Sequence, residues 1–196
     1  MALTASTMMD LGTAAPSFSL SDVRTGKNVS PTKSGKPLLI MFLCKHCPFV
    51  VHVKEELARI GKDYAGKVDV IAISANDAAS HPDDSPANLK KMAEDLGFVF
   101  PLCHDESQEI ALAYTAACTP DFFLFNADHK LAYRGQLDGS RPSNQVKVDG
   151  RDLRAAMDEL LAGSRPSAIQ YPSVGCNIKW KAGKQPEYFE SALVKK

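Results

Sequence analysis

A continuous apolar run, Pro37 to Leu43, leads straight into Cys44-Lys45-His46-Cys47 and then into a helix-periodic stretch. No other feature constrains the fold as much. An apolar run without polar alternation predicts a strand buried on both faces, and such strands belong to parallel or mixed sheets covered by helices. Val50, Val53, Leu57, Ile60 and Tyr64 fall on one helical stripe that Gly66 ends, which predicts a helix from about Cys47 to Tyr64. A buried strand therefore delivers a C-x-x-C pair to the start of a helix. The unpaired N–H groups and positive dipole end found there favour a thiolate, the attacking species in disulfide exchange.

The remaining pattern alternates strands with helices. Phe18–Leu20 and Asn28–Ser30 flank Arg24-Thr25-Gly26-Lys27 as a short hairpin, and Val68–Ile73 reads as the next strand. Ser74–Ser85 is a polar loop. Ser85 caps a helix opened by Pro86, with Leu89, Met92, Ala93 and Leu96 facing inward. Phe98–Phe100 reads as a short strand, and Asp105 with Gln108 as a capping box for a helix through Ala117. Asp121–Phe125 and Leu131–Arg134 form a hairpin around Asn126–Lys130, and Arg151–Leu161 is a last amphipathic helix carrying Leu153, Met157, Leu160 and Leu161. The order ββ, then β-α-β-α-β-α-β-β-α, predicts an α/β fold with a parallel portion and an antiparallel edge. Residues 1–163 read as one domain. Residues 164–196 read as a tail that packs on it, since Tyr171, Cys176, Ile178, Trp180, Tyr188 and Phe189 are too apolar for a free segment.

Lys plus Arg equals Asp plus Glu at 23 each, so no net field points to nucleic acid or to an anionic membrane. The longest apolar stretch, Leu38–Cys44, is too short to cross a bilayer. The N-terminal residues lack the pattern of a secretory signal. Five cysteines (44, 47, 103, 118 and 176) are an odd number and too few for a disulfide scaffold. The expectation is a reducing cytoplasm, where a C-x-x-C pair is catalytic, redox-sensing or metal-binding.

These residues resemble the thioredoxin-like superfamily, in its peroxiredoxin-like (AhpC/TSA) and TlpA/ResA-like branches, over roughly Leu11 to Gly163. The resemblance rests on Leu11-Gly12-Thr13-Ala14-Ala15-Pro16 with Phe18 and Leu20, on Cys44 and Cys47, on Thr119-Pro120 before Asp121–Phe125, and on the closing hairpin and helix. Gly175-Cys176-Asn177-Ile178-Lys179-Trp180 is similar to a motif of a less characterised peroxiredoxin-like subgroup. The resemblance implies a thioredoxin-like fold: a central mixed sheet flanked by helices, with an N-terminal hairpin extension and a C-terminal tail. It also implies a cis Pro120 beside the pair, with Thr119 and Pro120 lining a substrate groove where Thr119 offers backbone hydrogen bonds to an extended peptide. Cys44 would attack and Cys47 resolve, while His46 tunes the Cys44 thiolate. Cys44, at the exposed start of the motif, is expected to be the thiol of lower pKa.

Two departures stand out. The strand before the pair has no buried acidic residue, and Leu43 stands where a tryptophan is expected. The peroxidatic pattern PxxxTxxC also fails: it would put Cys44 at the Thr position and Ile40 at the Pro position counting from Cys47, or Met41 at the Thr position counting from Cys44, although Pro37 then matches. No arginine stands just before Asp121 to bind a peroxide.

The expected function is a thiol–disulfide oxidoreductase with an antioxidant or disulfide-exchange role. Its redox group is a Cys44–Cys47 disulfide, with no other cofactor. Its partners are protein or small-molecule disulfides and an external thiol reductant, not nucleic acid or membrane. One alternative is a thiol peroxidase acting on hydroperoxides; another is a metal-binding or redox-sensing module, with Cys44, His46, Cys47 and either Cys118 or Cys176 as a Cys₃His set. No metal ligand is assigned. Cys118 reads equally as a small buried residue or a redox thiol. Cys176 reads as a tail-packing residue, or as an internal resolving thiol that exchanges with Cys44 or Cys118. Cys103 reads as structural. His81, Asp83 and Asp84 read as solvated loop residues, and His104 with Asp105 as loop and cap residues. His52 reads as exposed, and Phe122, Phe123 and Phe125 as core.

Overall fold

In the computed structural model, which describes residues 3–194, the chain runs β1 (Leu3–Ala5), β2 (Leu20–Ser21), β3 (Asn28–Val29), β4 (Leu38–Phe42), α1 (Pro48–Asp63), β5 (Asp69–Ser74), α2 (Pro86–Asp95), β6 (Leu102–His104), α3 (Glu109–Ala113), β7 (Cys118–Thr119), β8 (Asp121–Phe125), β9 (Leu131–Gly135), α4 (Arg151–Leu161), β10 (Val174–Asn177) and α5 (Phe189–Ala192). A 3₁₀ turn, Pro82–Asp84, precedes α2.

Every residue of β4 is buried, as a two-sided strand requires. It is the centre of a five-stranded sheet of order β6-β5-β4-β8-β9, parallel to β5 and antiparallel to β8. Alternation along β4 and β8 divides the core. Leu39, Met41, Leu43, Phe122 and Leu124 join Val50, Val53, Leu57 and Ile60 of α1, with Leu89 and Leu153, on one face. Ile40, Phe42, Phe123 and Phe125 join Tyr114, Ile178 and Trp180 on the other. Strand, helix and crossover order make this a thioredoxin-like fold, with the β2–β3 hairpin as its N-terminal addition.

Three local expectations are corrected. Phe98–Phe100 is not a strand, which forms instead at Leu102–His104. Phe98 and Phe100 are buried and stacked at 4.6 Å while Val99 is 57% exposed, and the carbonyls of Phe98 and Phe100 accept from the Arg24 guanidinium rather than from a strand. The helix expected through Ala117 ends at Ala113, because Thr115 takes a left-handed φ of 47°. The capping box does not form. Asp105 Oδ2 alone accepts the N–H groups of Ile110 (3.0 Å) and Ala111 (2.9 Å). Gln108 turns inward with φ 67°, and its amide donates to the carbonyls of Ala75 (2.6 Å) and Lys179 (2.9 Å). On α4, Leu153 and Met157 are buried and Leu161 is exposed.

A second sheet, β1-β10-β7, ties the C-terminal segment to the core, with Cys176 opposite Thr119 and Leu3 opposite Cys176 on the far side. The next residues are held by Ile178 N–H to Ala117 O (3.0 Å), Lys179 N–H to Asn76 Oδ1 (2.8 Å) and Lys181 N–H to Gln108 Oε1 (2.8 Å). Among the described residues, no helix is long and apolar enough to cross a membrane.

Candidate active site

The site begins where β4 ends. Leu43 N–H still donates to Ile73 O (2.9 Å), so the chain enters Cys44 as a continuation of the sheet. Cys47 is the N-cap residue of α1, extended at φ −69°, ψ 124°, and Pro48 follows at the first helical position, where a missing N–H costs nothing. The first turn holds no acidic residue to compete for its dipole.

Thr119 reaches both sulfurs. Its Oγ1 lies 3.1 Å from Cys44 Sγ, and its carbonyl accepts from the Cys47 thiol at 3.2 Å. The Thr119–Pro120 bond is cis. Cys176 completes the arrangement. It stands opposite Thr119 on β10, so the two side chains share a face, and its thiol lies against Cys47 Sγ.

Both motif cysteines are 0% exposed, which corrects the expectation of an exposed Cys44. The thiols of Cys176 and Cys44 and the N–H groups of Val50 and Cys176 all converge on Cys47 Sγ, and together they hold the Cys47 thiol far below its usual pKa despite burial. Cys44 is pushed well up, first by donating to Cys47, then by burial and by the nearby Asp84 carboxylate. Donation to Cys47 and burial likewise raise Cys176. These directions run opposite to the expected order, in which Cys44 has the lower pKa.

Asp84, expected in solvent, is fully buried. Its Oδ1 accepts from Lys45 N–H at 2.7 Å and weakly from His46 N–H at 3.4 Å, and its Oδ2 accepts from His46 Nδ1 (2.5 Å) and Asn76 Nδ2 (2.7 Å). An ionised carboxylate can only accept, so Nδ1 carries the proton in this pair. Nδ1 of His46 is thus committed to Asp84 rather than to a sulfur. The His46 ring stacks on His81 at 5.6 Å, and its side chain is 18% exposed, forming with half-buried Lys45 the outer rim of the pair. Asn76 links this rim to the tail, since the same side chain accepts from Lys179 N–H.

The other predicted residues sort by face. Thr119 points to the sulfurs, so alternation directs its neighbour Cys118 to the opposite side, where its thiol donates to Pro120 O (3.7 Å). Cys103 lies on β6 in the far core, with burial pushing its thiol up to about 12. His52 is half-buried, not exposed, and its buried Nε2 has no hydrogen-bond partner among the described residues. Among the described residues, neither Cys118 nor Cys176 joins Cys44 and His46 in a group able to hold a metal ion. Cys44, His46 and Asp84 do offer ligand atoms within 4.8 Å of one another, yet the Asp84 oxygens are already engaged by four N–H donors. The Thr119 backbone, expected to receive an extended peptide, is already paired with β10. Neither Asp84 nor the Cys47–Cys176 contact has a local sequence signature. The only hint was a tail motif too apolar to be free.

Two solved structures cover nearly the whole chain. One is an uncharacterized conserved protein from Geobacillus kaustophilus, with TM-score 0.91 and 50% identity, covering 93% of this chain and 98% of that one. The other is a hypothetical protein from Sinorhizobium meliloti 1021, with TM-score 0.90 and 44% identity, covering 92% of this chain and all of that one. The thiol-disulfide oxidoreductase ResA of Geobacillus thermodenitrificans (strain NG80-2) is 26% identical over 131 residues, 65% of this chain and 70% of that protein. The AhpC/TSA family model matches residues 11–134, most of the chain, and the protein belongs to that family.

Proposed function

We propose that the protein is a thiol–disulfide oxidoreductase that works through Cys44 and Cys47. The observation that carries this reading is the placement of the pair: Cys47 caps α1, Thr119 Oγ1 lies 3.1 Å from Cys44 Sγ, and Thr119 O lies 3.2 Å from Cys47 Sγ beside the cis Pro120. Cys44 lies next to the rim formed by Lys45 and His46, and attacks one sulfur of the substrate disulfide as its own proton passes to Cys47. The substrate's other sulfur leaves as a thiolate. Cys47 then attacks Cys44 Sγ, its proton going to the departing sulfur. The products are a Cys44–Cys47 disulfide and a reduced substrate, and an external thiol reductant restores the pair. Cys47 thus supplies the proton acceptor that the apolar strand β4 lacks. With β7 already paired, the substrate is a disulfide presented at the Lys45–His46 rim: a small molecule or an exposed protein loop.

Peroxide reduction is the weaker alternative. Cleaving an O–O bond needs donors aimed at the developing charge on oxygen. The groups acting most strongly on Cys44 are Cys47, Asp84 and Thr119, and none is a cation. Steady-state assays of insulin-disulfide reduction and hydroperoxide consumption decide the matter. The first should be robust and lost in Cys44→Ser and Cys47→Ser, and the second slow. Fast peroxide turnover that depends on either cysteine would reverse the assignment.

A further inference from the structure

We infer that Cys176 is a third redox thiol of this centre, taking over the disulfide of the Cys44–Cys47 pair by attack on Cys47. The inference rests on the oxidoreductase reading above and adds a residue outside the C-x-x-C motif. Three independent features place Cys176 there. Strand β10 is the middle strand of its sheet, held by β1 on one side and β7 on the other, so its register is set from both edges. Gly175 lies so close to Thr119 that a Cβ would collide with the Thr119 carbonyl, and only glycine lets β10 approach this far. The flanking residues are tied down as well: Ser173 Oγ donates to Gly135 O (2.6 Å), and Ser6 N–H donates to Ser173 O (2.8 Å). A cysteine held only for packing would not need to stand against a reactive sulfur.

Cys44 and Cys176 both lie within hydrogen-bond reach of the Cys47 sulfur, with Cys176 directly opposite Thr119 on the neighbouring strand. Disulfide exchange needs an attacking, a central and a leaving sulfur within reach of one another, and these three are. Once substrate oxidation has produced the Cys44–Cys47 disulfide, Cys176 attacks Cys47 Sγ. The Cys47–Cys176 bond forms, the Cys44–Cys47 bond breaks, and the Cys176 proton passes to the released Cys44 sulfur. No electrons are gained or lost, so no further oxidant is needed. The oxidised protein then keeps a free Cys44 at the rim, able to engage a second thiol partner while the oxidising equivalents sit on the inner pair. The sequence pattern allowed exchange with Cys44 or Cys118, whereas the contact made is with Cys47.

The test oxidises the full-length protein with one equivalent of diamide, quenches with acid, alkylates under denaturing conditions and maps disulfides by mass spectrometry. The expected result is a population with Cys47 linked to Cys176 and Cys44 alkylated, alongside the Cys44–Cys47 form. Cys44→Ser should form the Cys47–Cys176 bond, and Cys47→Ser should leave Cys176 alkylated. Alkylated Cys176 in all molecules of both the wild type and Cys44→Ser would overturn the inference. Insulin reduction, measured on the same wild-type sample, reports separately on the oxidoreductase reading. A preparation that forms Cys44–Cys47 and reduces insulin, yet never links Cys176, refutes the third thiol and leaves that reading intact.

Discussion

The three cysteines gathered at the start of α1 and the two that stand apart from them lie in equally dry surroundings and are treated in opposite ways. Cys44, Cys47 and Cys176 lie on the α1 face, while Cys103 belongs to the far core and Cys118 points away from the sulfurs. All five are at most 5% exposed. At Cys103 and Cys118 burial dominates, and it lifts Cys103 to about 12 and Cys118 well above its usual value. At Cys47 the same burial is outweighed by four converging donors. The direction in which each thiol's pKa moves is set by where hydrogen-bond donors point, not by residue type or by depth.

The largest expected effect tests that contrast directly. Cys44→Ser and Cys47→Ser should abolish disulfide reduction, whereas Cys103→Ser and Cys118→Ala should keep rates within a few-fold of wild type. A comparable loss from Cys118→Ala would break the distinction between the two groups.

Next in size is the junction of the two sheets. Gly175→Ala should destabilise the fold by about 2–4 kcal/mol, as expected of a substitution that forces backbone apart, read from the urea midpoint. An unchanged midpoint would show that β10 can stand off from Thr119, and would loosen the case for a fixed Cys176.

The far side carries its own titration. Burial raises Asp121 to about 7 from an ordinary 3.8, outweighing the lowering effect of Ser6 and of the N–H groups of Phe122 and Ala117. Between those values the unfolded chain has released a proton that the native state retains. Asp121 therefore favours folding at low pH, and that contribution is lost as pH rises from about 4 through about 7, by at most about 1.4 kcal/mol per pH unit. Asp121→Asn should flatten this part of the stability profile in denaturation curves taken from pH 4 to pH 8. An unaltered slope would place the titration elsewhere.

The smallest effect sharpens the rim. Removing His46 leaves one Asp84 oxygen without its ring donor and strengthens the negative field at Cys44. That disfavours the reduced, charged pair, so His46→Ala should make the disulfide less oxidising. Loss of one charge-assisted hydrogen bond corresponds to about 30 mV for every 1.4 kcal/mol, within reach of a redox titration. A more oxidising potential would show that His46 acts by some route other than Asp84.

Much of this molecule was legible from local pattern. The apolar run gave away β4, the Val50–Tyr64 stripe announced α1, and their junction placed Cys44 and Cys47 at a helix start, because strand and helix periodicity are short-range properties. Errors fell where a side chain far away in sequence took over a backbone group. Arg24 claims the carbonyls of Phe98 and Phe100, and Gln108 abandons a cap to clamp Lys179.

By itself, then, the sequence determined the layered α/β architecture, the sulfur pair and its place on a helix N-terminus. Only the tertiary structure decided in which direction each thiol's pKa moves, that Asp84 is buried behind His46, and that Cys176 stands beside Cys47. Those outcomes depend on contacts between segments as distant as Asn76 and Lys179, whose proximity leaves no periodic trace in the chain and arises only when the sheets close around a common core.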